Sequence, residues 1–435
     1  MKILHYSLGF SPNRTGGLVK YSTDLIRAES KLGNELVYLY PANWNPLRQG
    51  LVIRSLGMKN SARCFAVINS LPLPLRQGIK NPSDFMRPVN VAVYVDFLKM
   101  IKPDIIHVHT LMGIHREFFE AATMLSIPIV MTSHDYFGLA PEPNFFFRGS
   151  DYSSNNSVSM WREISNQALP TWQLRIFQSS LYFEARPLLR FIKRRFSAHS
   201  NTLQGKPYKL RQANQGSGFE ELRQYYSSIF KDIDFMLYNS RLAKTVFDAN
   251  LSSRLSGTVI PITHYDLVTK VQHTKSPKIR VGYIGPNRLY KGFEEFVNLA
   301  QAMDMSKFEF HTFGYNPTEQ IDHVIQHGRF AYSQIGSVFS SIDILIVPSL
   351  WKETFGFVVI EALANHCPVL MSQNVGAKDL VPSSNVYKSL SDLKKKLYAK
   401  LDEGTISPLN IKLQSMSQHA AEVIAVYEEV ISNGA

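Results

Sequence analysis

The stretch Ser349-Leu-Trp-Lys-Glu353-Thr-Phe-Gly-Phe-Val-Val-Ile-Glu361-Ala-Leu363 carries two glutamates eight positions apart. The apolar run over residues 342–347 predicts a buried strand before it, and the Pro-Ser pair that follows ends that strand. The apolar residues between the glutamates predict a helix, so Glu353 lies in a strand-to-helix loop and Glu361 lies about two turns into the helix. Because open α/β sheets bind ligands beyond the carboxyl ends of their strands, this loop is placed to bind sugar hydroxyls and phosphate.

Two other interpretations of these carboxylates stay open at this point. Glutamates near helix starts are common because the helix macrodipole stabilises negative charge there. A pair of carboxyl groups is also the catalytic apparatus of most glycosidases, which place one on each side of the scissile bond.

The length and composition of the chain predict a two-domain globular protein. It has 435 residues, of which 45% are hydrophobic and 19% are charged. The only cysteines, Cys64 and Cys367, lie too far apart to fit a metal-binding spacing or a sequence-local disulfide. The net charge of +12 favours anionic lipid or phosphorylated ligands, because zinc spacings, RNA-binding aromatics and helix-turn-helix signals are lacking. We therefore expect no nucleic-acid partner.

Strands and helices alternate along both halves of the sequence. Residues 2–7, 35–40, 104–109 and 128–132 predict strands of the first half, and residues 279–284, 308–313 and 368–372 predict strands of the second. A short strand is also predicted near Phe330. This alternation predicts doubly wound parallel sheets, with the region at about 141–218 as an insertion that breaks the alternation.

The E-x7-E pattern, with Phe-Gly inside it, resembles the nucleotide-sugar site of retaining glycosyltransferases of family 4 (glycosyl transferases group 1), which have the GT-B fold. The similarity is strong from about residue 280 to 381 and looser in the first half. It implies two Rossmann-like domains that face a cleft. The implied division is an acceptor-binding domain over residues 1–257, a donor-binding domain over 258–415, and a helix over 416–435 that crosses back to the first domain.

The resemblance assigns roles to residues of the quoted stretch. Glu361 is similar to the family glutamate that hydrogen-bonds the ribose hydroxyls of the donor nucleotide. Glu353 is similar to the one that contacts the transferred sugar. Phe355 and Gly356 are expected to offer backbone N–H groups near the sugar and the phosphate.

Two cations follow the first strand of the second half. Lys291 matches a family lysine that stabilises the diphosphate leaving group, whose negative charge grows as the sugar leaves. Pro286 stands where relatives carry an arginine, and Arg288, two residues further on, is the predicted substitute.

The first half is expected to contribute a glycine-rich loop and a histidine. Gly16 and Gly17 lie between the first strand and the first helix, where the resemblance implies a lid over the donor diphosphate and the acceptor. His134 follows an apolar strand and matches a histidine that contacts the sugar. His109 and Thr110, at another strand end, are predicted to approach the acceptor.

The resemblance implies transfer of a sugar from a nucleoside diphosphate sugar, UDP- or GDP-linked, to a lipid-linked glycan in cell-surface polysaccharide synthesis. Retention is expected to proceed with assistance from the leaving phosphate. We expect metal-independent chemistry and no cofactor, because the one Asp-x-Asp pair, Asp232 and Asp234, precedes a strand. Other readings are a catalytically silent GT-B partner subunit, a nucleotide-sugar epimerase or a phosphorylase.

The segment at 172–196 is aromatic and basic, and residues 186–196 predict an amphipathic helix with a basic face. Such a helix binds anionic membrane surfaces. The sequence has neither the features of a signal peptide nor an apolar run near the ~20 residues that a transmembrane helix needs. We therefore expect a cytoplasmic protein that is either soluble or peripheral on the inner face of the plasma membrane.

Overall fold

The computed structural model of the chain describes residues 1–47, 50–74, 78–179, 182, 218–267, 276–402, 409 and 411–434. Two parallel sheets form its two halves, as the alternation of elements predicts. The segment at 186–196, where an amphipathic helix is predicted, lies outside the described residues.

The first half is built on an eight-stranded sheet. Its strand order is β10-β9-β6-β5-β1-β2-β4-β3, and every neighbouring pair is parallel except β3 and β4. The strands are β1 (Lys2–Tyr6), β2 (Glu35–Pro41), β3 (Val52–Lys59), β4 (Ala62–Ile68), β5 (Ile105–Val108), β6 (Ile129–Thr132), β9 (Phe235–Tyr238) and β10 (Gly257–Val259). A separate two-stranded ribbon consists of β7 (Phe146–Phe147) and β8 (Ser150–Asp151).

Helices cover both faces of this sheet. Successive residues of β1 show this, because Ile3 packs into one apolar cluster and Leu4 into another, and both are fully buried. Burial on both faces explains why the inner strands β6 and β9 are almost entirely apolar. The helices of this half are α1 (Gly17–Lys31), α2 (Ala92–Ile101), α3 (Arg116–Met124), α4 (Val158–Ser165), α5 (Thr171–Phe177), α6 (Phe219–Lys231) and α7 (Arg241–Asn250).

The second half is built on a six-stranded sheet in which every pair is parallel. The order is β13-β12-β11-β14-β15-β16. The strands are β11 (Ile279–Ile284), β12 (Phe308–Phe313), β13 (Val324–Gln326), β14 (Ile344–Val347), β15 (Val369–Ser372) and β16 (Val386–Tyr387). Its helices are α8 (Phe293–Gln301), α9 (Ile335–Ser340), α10 (Phe357–Ala364) and α11 (Leu390–Asp402).

The last helix, α12 (Met416–Gly434), packs against α1 of the first half. Its apolar stripe is buried, and consists of Met416, Ala420, Val423, Tyr427 and Val430. One apolar cluster contains residues from both halves and from α12, among them Leu25, Val359 and Tyr427. The two sheets and the last helix therefore share part of their core.

Several details differ from the sequence expectations. The strand predicted near Phe330 is wrong, because that pairing segment is β13, which ends at Gln326. Thr258 and Val259 pair with β9 of the first sheet, although the predicted boundary assigns them to the second domain. None of the helices in the described ranges combines the length and apolar character that crossing a membrane requires.

Candidate functional site

A cleft of about 330 Å³ lies between the two halves, beyond the carboxyl ends of strands from both sheets. This is the position at which open α/β sheets bind ligands. Six of the nine predicted site residues line it, namely Gly17, His134, Lys291, Glu353, Phe355 and Gly356. The other three, Gly16, Arg288 and Glu361, are not among its lining residues.

The backbone of Glu353 is fixed on both sides. Its N–H donates to the carbonyl of Asn374 at 2.8 Å, and its own carbonyl accepts from the N–H of Gly376 at 3.1 Å. The residue is 5% exposed, so its carboxylate is held in the wall of the cleft. The loop after β14 is thus a rigid support for this side chain, as a binding residue requires.

Lys291 and Glu353 form an ion pair with each other. The Lys291 Nζ lies 2.9 Å from the Glu353 Oε1, and it also lies 5.3 Å from the centre of the Trp351 ring. Lys291 ends a short 3-10 turn that follows β11, whereas Glu353 follows β14. A ligand phosphate that binds Lys291 would compete directly with this carboxylate.

Gly292 allows the turn that carries Lys291 to approach the loop that carries Glu353. Its φ is +72°, and a Cβ at this position would lie 1.7 Å from the carbonyl oxygen of Pro348. Only glycine fits a positive φ together with such a close backbone contact. The contact holds the end of β14 against the turn after β11.

His134 faces the cleft, but both of its ring nitrogens are near protein partners. Nε2 lies 3.3 Å from His109 Nδ1, and Nδ1 lies 3.4 Å from Asn239 Nδ2. Burial, with a smaller effect of His419, lowers the pKa of His134 to about 3. The ring is therefore neutral near pH 7.

Glu361 lies beside the cleft, where the two halves meet. Its Oε1 accepts a hydrogen bond from the Tyr332 hydroxyl at 2.8 Å and lies 3.3 Å from His264 Nε2. Burial first, and the Glu361 charge second, raise the pKa of Tyr332 well above its usual value. The carboxylate is 13% exposed, so a ribose reaching it would have to replace one of these partners.

Of the remaining predicted residues, Gly16 and Gly17 lie at the start of α1 and Arg288 lies on the surface. Gly16 caps α1 with a φ of +123°, and a Cβ on Gly17 would lie 3.1 Å from the Phe357 ring. The start of α1 therefore touches the start of α10. Arg288 is exposed and forms no ion pair with any residue in the described ranges.

Two hydrogen bonds join the two halves across the cleft, and the sequence analysis did not predict them. The Thr354 hydroxyl donates to the His134 carbonyl at 3.0 Å, and the Ser240 hydroxyl donates to the Thr354 carbonyl at 2.8 Å. Asn239 lines the cleft between them, and its Oδ1 has no hydrogen-bond partner among the described residues. Asn239 and Ser240 directly follow β9, so their position after a strand was the available signal.

His109 and Thr110, which are predicted to approach the acceptor, do not lie on the surface of the cleft. Both are fully buried, and neither lines the cleft. The Thr110 hydroxyl donates to the buried carboxyl of Asp135 at 3.0 Å. Both residues therefore act inside the first half rather than at its surface.

Residues 315–389 match the family model of the glycosyl transferases group 1, and this range contains Glu353 and Glu361. The resemblance to group 1 glycosyl transferases is confirmed. An uncharacterised 42.6 kDa protein of the cps region of Klebsiella pneumoniae is 22% identical over 286 residues. That match covers 64% of this chain and 60% of the relative, so the chain spans about three fifths of the length of the curated protein that it matches.

Solved glycosyltransferase structures share the fold across the whole chain. A glycosyltransferase from Rickettsia africae superposes with a TM-score of 0.57 at 12% identity, covering 99% of each chain. HepE of Anabaena, solved in complex with UDP-glucose, superposes with a TM-score of 0.51 at 15% identity, covering 100% of this chain and 99% of HepE. The predicted GT-B fold is confirmed.

A second, larger cleft of about 970 Å³ lies in the first half. Its lining includes Arg14, Arg54, Lys59 and Trp44, and the described lining residues include no aspartate or glutamate. The loop that follows β1 forms one wall, and the same loop continues into Gly17 at the first cleft. The group 1 glycosyl transferase match does not extend to this region.

Proposed function

We propose that this protein is a retaining glycosyltransferase that transfers a sugar from a nucleoside diphosphate sugar to a lipid-linked glycan. The observation that carries the proposal is the Lys291–Glu353 ion pair in the wall of the interdomain cleft. The group 1 family match, which includes the Glu353 loop, supports it. The complex of HepE with UDP-glucose supports a nucleotide sugar as the donor.

The donor diphosphate is expected to bind between Lys291 and the start of α10. The first backbone N–H groups of a helix lack partners within the helix, so they are donors for phosphate oxygens. Gly356 caps this helix and lines the cleft beside Lys291. As the sugar leaves, the growing charge on the diphosphate strengthens its attraction to Lys291.

Donor binding frees Glu353 for the sugar. When a diphosphate takes over Lys291, the Glu353 carboxylate loses its partner and becomes available to sugar hydroxyls. Phe355, which lines the same cleft, offers a backbone N–H close to this position. The ion pair between Lys291 and Glu353 is in this way exchanged for two contacts with the donor, one from each side chain.

The proposed reaction retains the configuration of the sugar and uses no metal or cofactor. The acceptor hydroxyl attacks the anomeric carbon from the face that the diphosphate leaves. The bond between the anomeric carbon and the diphosphate oxygen breaks, the new bond to the acceptor oxygen forms, and the acceptor proton passes to the diphosphate. No covalent enzyme intermediate is needed.

The second cleft is the proposed acceptor region. Arg14, Arg54 and Lys59 make it positive, and the absence of acidic residues from its described lining favours an anionic ligand such as a lipid phosphate. Trp44 offers an aromatic face for a sugar or an apolar chain. Such an acceptor would place the protein at the cytoplasmic face of a membrane.

Thermal unfolding of the full chain with UDP, GDP, ADP, dTDP and their sugar conjugates tests donor binding. A ligand that binds only the folded state raises the Tm by mass action. We expect a rise with one nucleotide, which is lost in Glu361→Ala and kept in Glu319→Ala, a matched change at an exposed glutamate. A Tm that none of these ligands raises would contradict the donor site.

Transfer is tested separately with the donor so identified and lipid phosphate acceptors. The anomeric configuration of the product, read by NMR, is expected to equal that of the donor. An inverted product would reject the retaining mechanism. Donor binding without transfer or hydrolysis would favour the silent partner subunit.

A further inference from the structure

Three buried histidines lie side by side: His5 is on β1, His107 is on β5, and His109 directly follows β5. One nitrogen from each lies within 4.8 Å of the others, which is close enough for a metal ion to be considered. However, each of the six ring nitrogens is already within hydrogen-bond distance of a polar partner. The cluster is therefore a hydrogen-bond network. Which atom donates in each of its bonds determines the tautomer of each histidine.

A chain of hydrogen bonds runs from Glu29 through two of these histidines to the cleft. Glu29 Oε2 lies 2.7 Å from His5 Nε2, and His5 Nδ1 lies 3.1 Å from His109 Nε2. His109 Nδ1 then lies 3.3 Å from Nε2 of His134, which lines the cleft. Glu29, His5 and His109 are fully buried.

The carboxylate sets the direction of this chain. A carboxylate only accepts, so Nε2 of His5 carries a proton, and in a neutral His5 ring Nδ1 accepts from His109. A neutral ring has one donor and one acceptor nitrogen. His109 therefore donates from Nε2 to His5 and accepts on Nδ1 from Nε2 of His134, so both rings carry their proton on Nε2. Burial is the main cause that lowers the pKa of His109 and of His134, which keeps both rings neutral.

The contacts at the cleft end of the chain agree with the direction that Glu29 sets. The carbonyl of Ser133 accepts a hydrogen bond from Asn239 Nδ2 at 2.9 Å. This bond orients the Asn239 amide, because a carbonyl cannot donate. The same Nδ2 lies 3.4 Å from His134 Nδ1, which must therefore be the acceptor.

A branch of the network shows the opposite tautomer. The Tyr427 hydroxyl donates to Glu29 Oε1 at 3.0 Å, so its oxygen is left to accept from His107 Nδ1 at 2.5 Å. His107 Nε2 then accepts from the Thr132 hydroxyl at 2.6 Å. His107 should carry its proton on Nδ1, unlike the three histidines of the chain.

We propose that Glu29 is a positioning residue that acts through His5 and His109 to fix the tautomer of His134, so that Nδ1 of His134 is a hydrogen-bond acceptor at the cleft. The hydroxyl of a bound sugar can replace the 3.4 Å contact of Asn239 only by donating to this nitrogen. A carbonyl or carboxylate oxygen at that place would be rejected. This consequence for ligand choice rests on the proposed function, whereas the tautomer itself does not.

The direct test is the nitrogen NMR spectrum of the full chain labelled with ¹⁵N-histidine, with each signal assigned by a single histidine substitution. At pH 7 we expect His5, His109 and His134 to be protonated on Nε2 only, and His107 on Nδ1 only. A proton on Nδ1 of His134, alone or with a second proton on Nε2, would overturn the proposal.

A second test exchanges the carboxylate and the amide at the two ends of the hydrogen-bond chain. The double variant Glu29→Gln with Asn239→Asp moves the carboxylate from one end to the other without changing side-chain size. We expect the protons of the three chain histidines to move to Nδ1. A folded double variant in which His134 keeps its proton on Nε2 would overturn the proposal. Where the variant does not fold, the wild-type spectrum still tests the tautomer of His134, without which the proposal fails.

The second half of the protein offers a matched control for this chain of hydrogen bonds. Glu309 Oε1 lies 2.7 Å from His311 Nε2, and His311 Nδ1 lies 2.9 Å from His327 Nε2, which repeats the carboxylate–histidine–histidine pattern in the second half. Glu309→Gln should leave the His134 signals unchanged. Unchanged His311 and His327 signals in the double variant show that it is folded.

The spectra need no substrate, so the two proposals fail separately. The expected tautomers in a protein that binds no nucleotide sugar would reject the proposed function and leave the tautomer assignment standing. Sugar transfer by a protein whose His134 carries its proton on Nδ1 would reject the role of Glu29 alone.

Discussion

The Nζ of Lys291 lies 2.9 Å from the Oε1 of Glu353, so the two side chains on which the proposed chemistry depends neutralise each other. Glu353 is 5% exposed, and a buried carboxylate without a partner is strongly destabilising. Their separation along the chain shows that the pair also joins the turn after β11 to the loop after β14. The same contact therefore serves stability and donor binding.

Removing one partner should expose this double role. Lys291→Met is expected to lower the Tm, because it leaves Glu353 buried without its cation, and Lys291→Met with Glu353→Gln should recover part of the loss. Both variants should transfer sugar more slowly, and the loss of a single transition-state contact should lower kcat by about 10²–10³-fold. Denaturation and initial rates check these outcomes. Lys307→Met, at an exposed lysine, is the control, and a double variant less stable than Lys291→Met would contradict the pairing.

The turn that carries Lys291 depends on a glycine. Gly292→Ala forces a Cβ to within 1.7 Å of the Pro348 carbonyl oxygen at a φ of +72°, so we expect a loss of several kcal/mol, above the roughly 1–2 kcal/mol for a left-handed alanine alone. Gly33→Ala isolates the latter effect, because Gly33 has a φ of +87° with nothing within 4 Å of its Cβ position. Urea unfolding of the two variants measures the difference. Equal losses of unfolding free energy in the two variants would show that the backbone at Pro348 moves aside without an energetic penalty.

Elements with strong local patterns could be predicted from the sequence. The predicted bounds of β11 and β12 agree with the structure, because apolar residues recur at alternate positions of each strand and most residues of both strands are buried. The strand β3 gave no such signal. Its residues are mostly exposed, and it pairs only with β4 at the edge of the sheet, so neither alternation nor a long apolar run marks it.

The candidate site was predictable only in part. The rule that ligands bind beyond strand ends places Lys291 and Glu353 in one cleft, because both follow strands of the second sheet. It does not predict that they pair with each other. The connection of His134 to Glu29 depends on contacts between side chains of β1, β5 and α1, and a sequence contains no distance information for such contacts.

The second cleft predicts a charge-dependent acceptor site. Arg54→Glu should raise the KM for a lipid phosphate acceptor about tenfold or more, since it replaces attraction with repulsion, and it should leave donor binding unchanged. Arg254→Glu, at an exposed position outside the cleft, makes the same change of charge. Initial rates at varied acceptor concentration separate the two. An equal rise of KM in both variants would indicate a general charge effect and would remove the cleft from the proposal.

Asp135 should make stability depend on pH in a defined direction. Burial raises its pKa to about 7, against smaller opposing effects of the Phe137 N–H and the Thr110 hydroxyl. The folded state therefore binds a proton that the unfolded state releases above a pH of about 4, so this contribution to stability is present at low pH and is lost as the pH rises to about 7. Asp135→Asn cannot titrate and keeps the neutral form.

The stability of Asp135→Asn relative to the wild type should therefore rise between pH 4 and 8. Other buried groups, such as Glu142, titrate in both proteins, so the difference between the two Tm curves isolates Asp135. Asp322→Asn, at an exposed aspartate, should follow the wild-type curve throughout. A constant difference across this range would mean that Asp135 is ionised in the folded protein at pH 4.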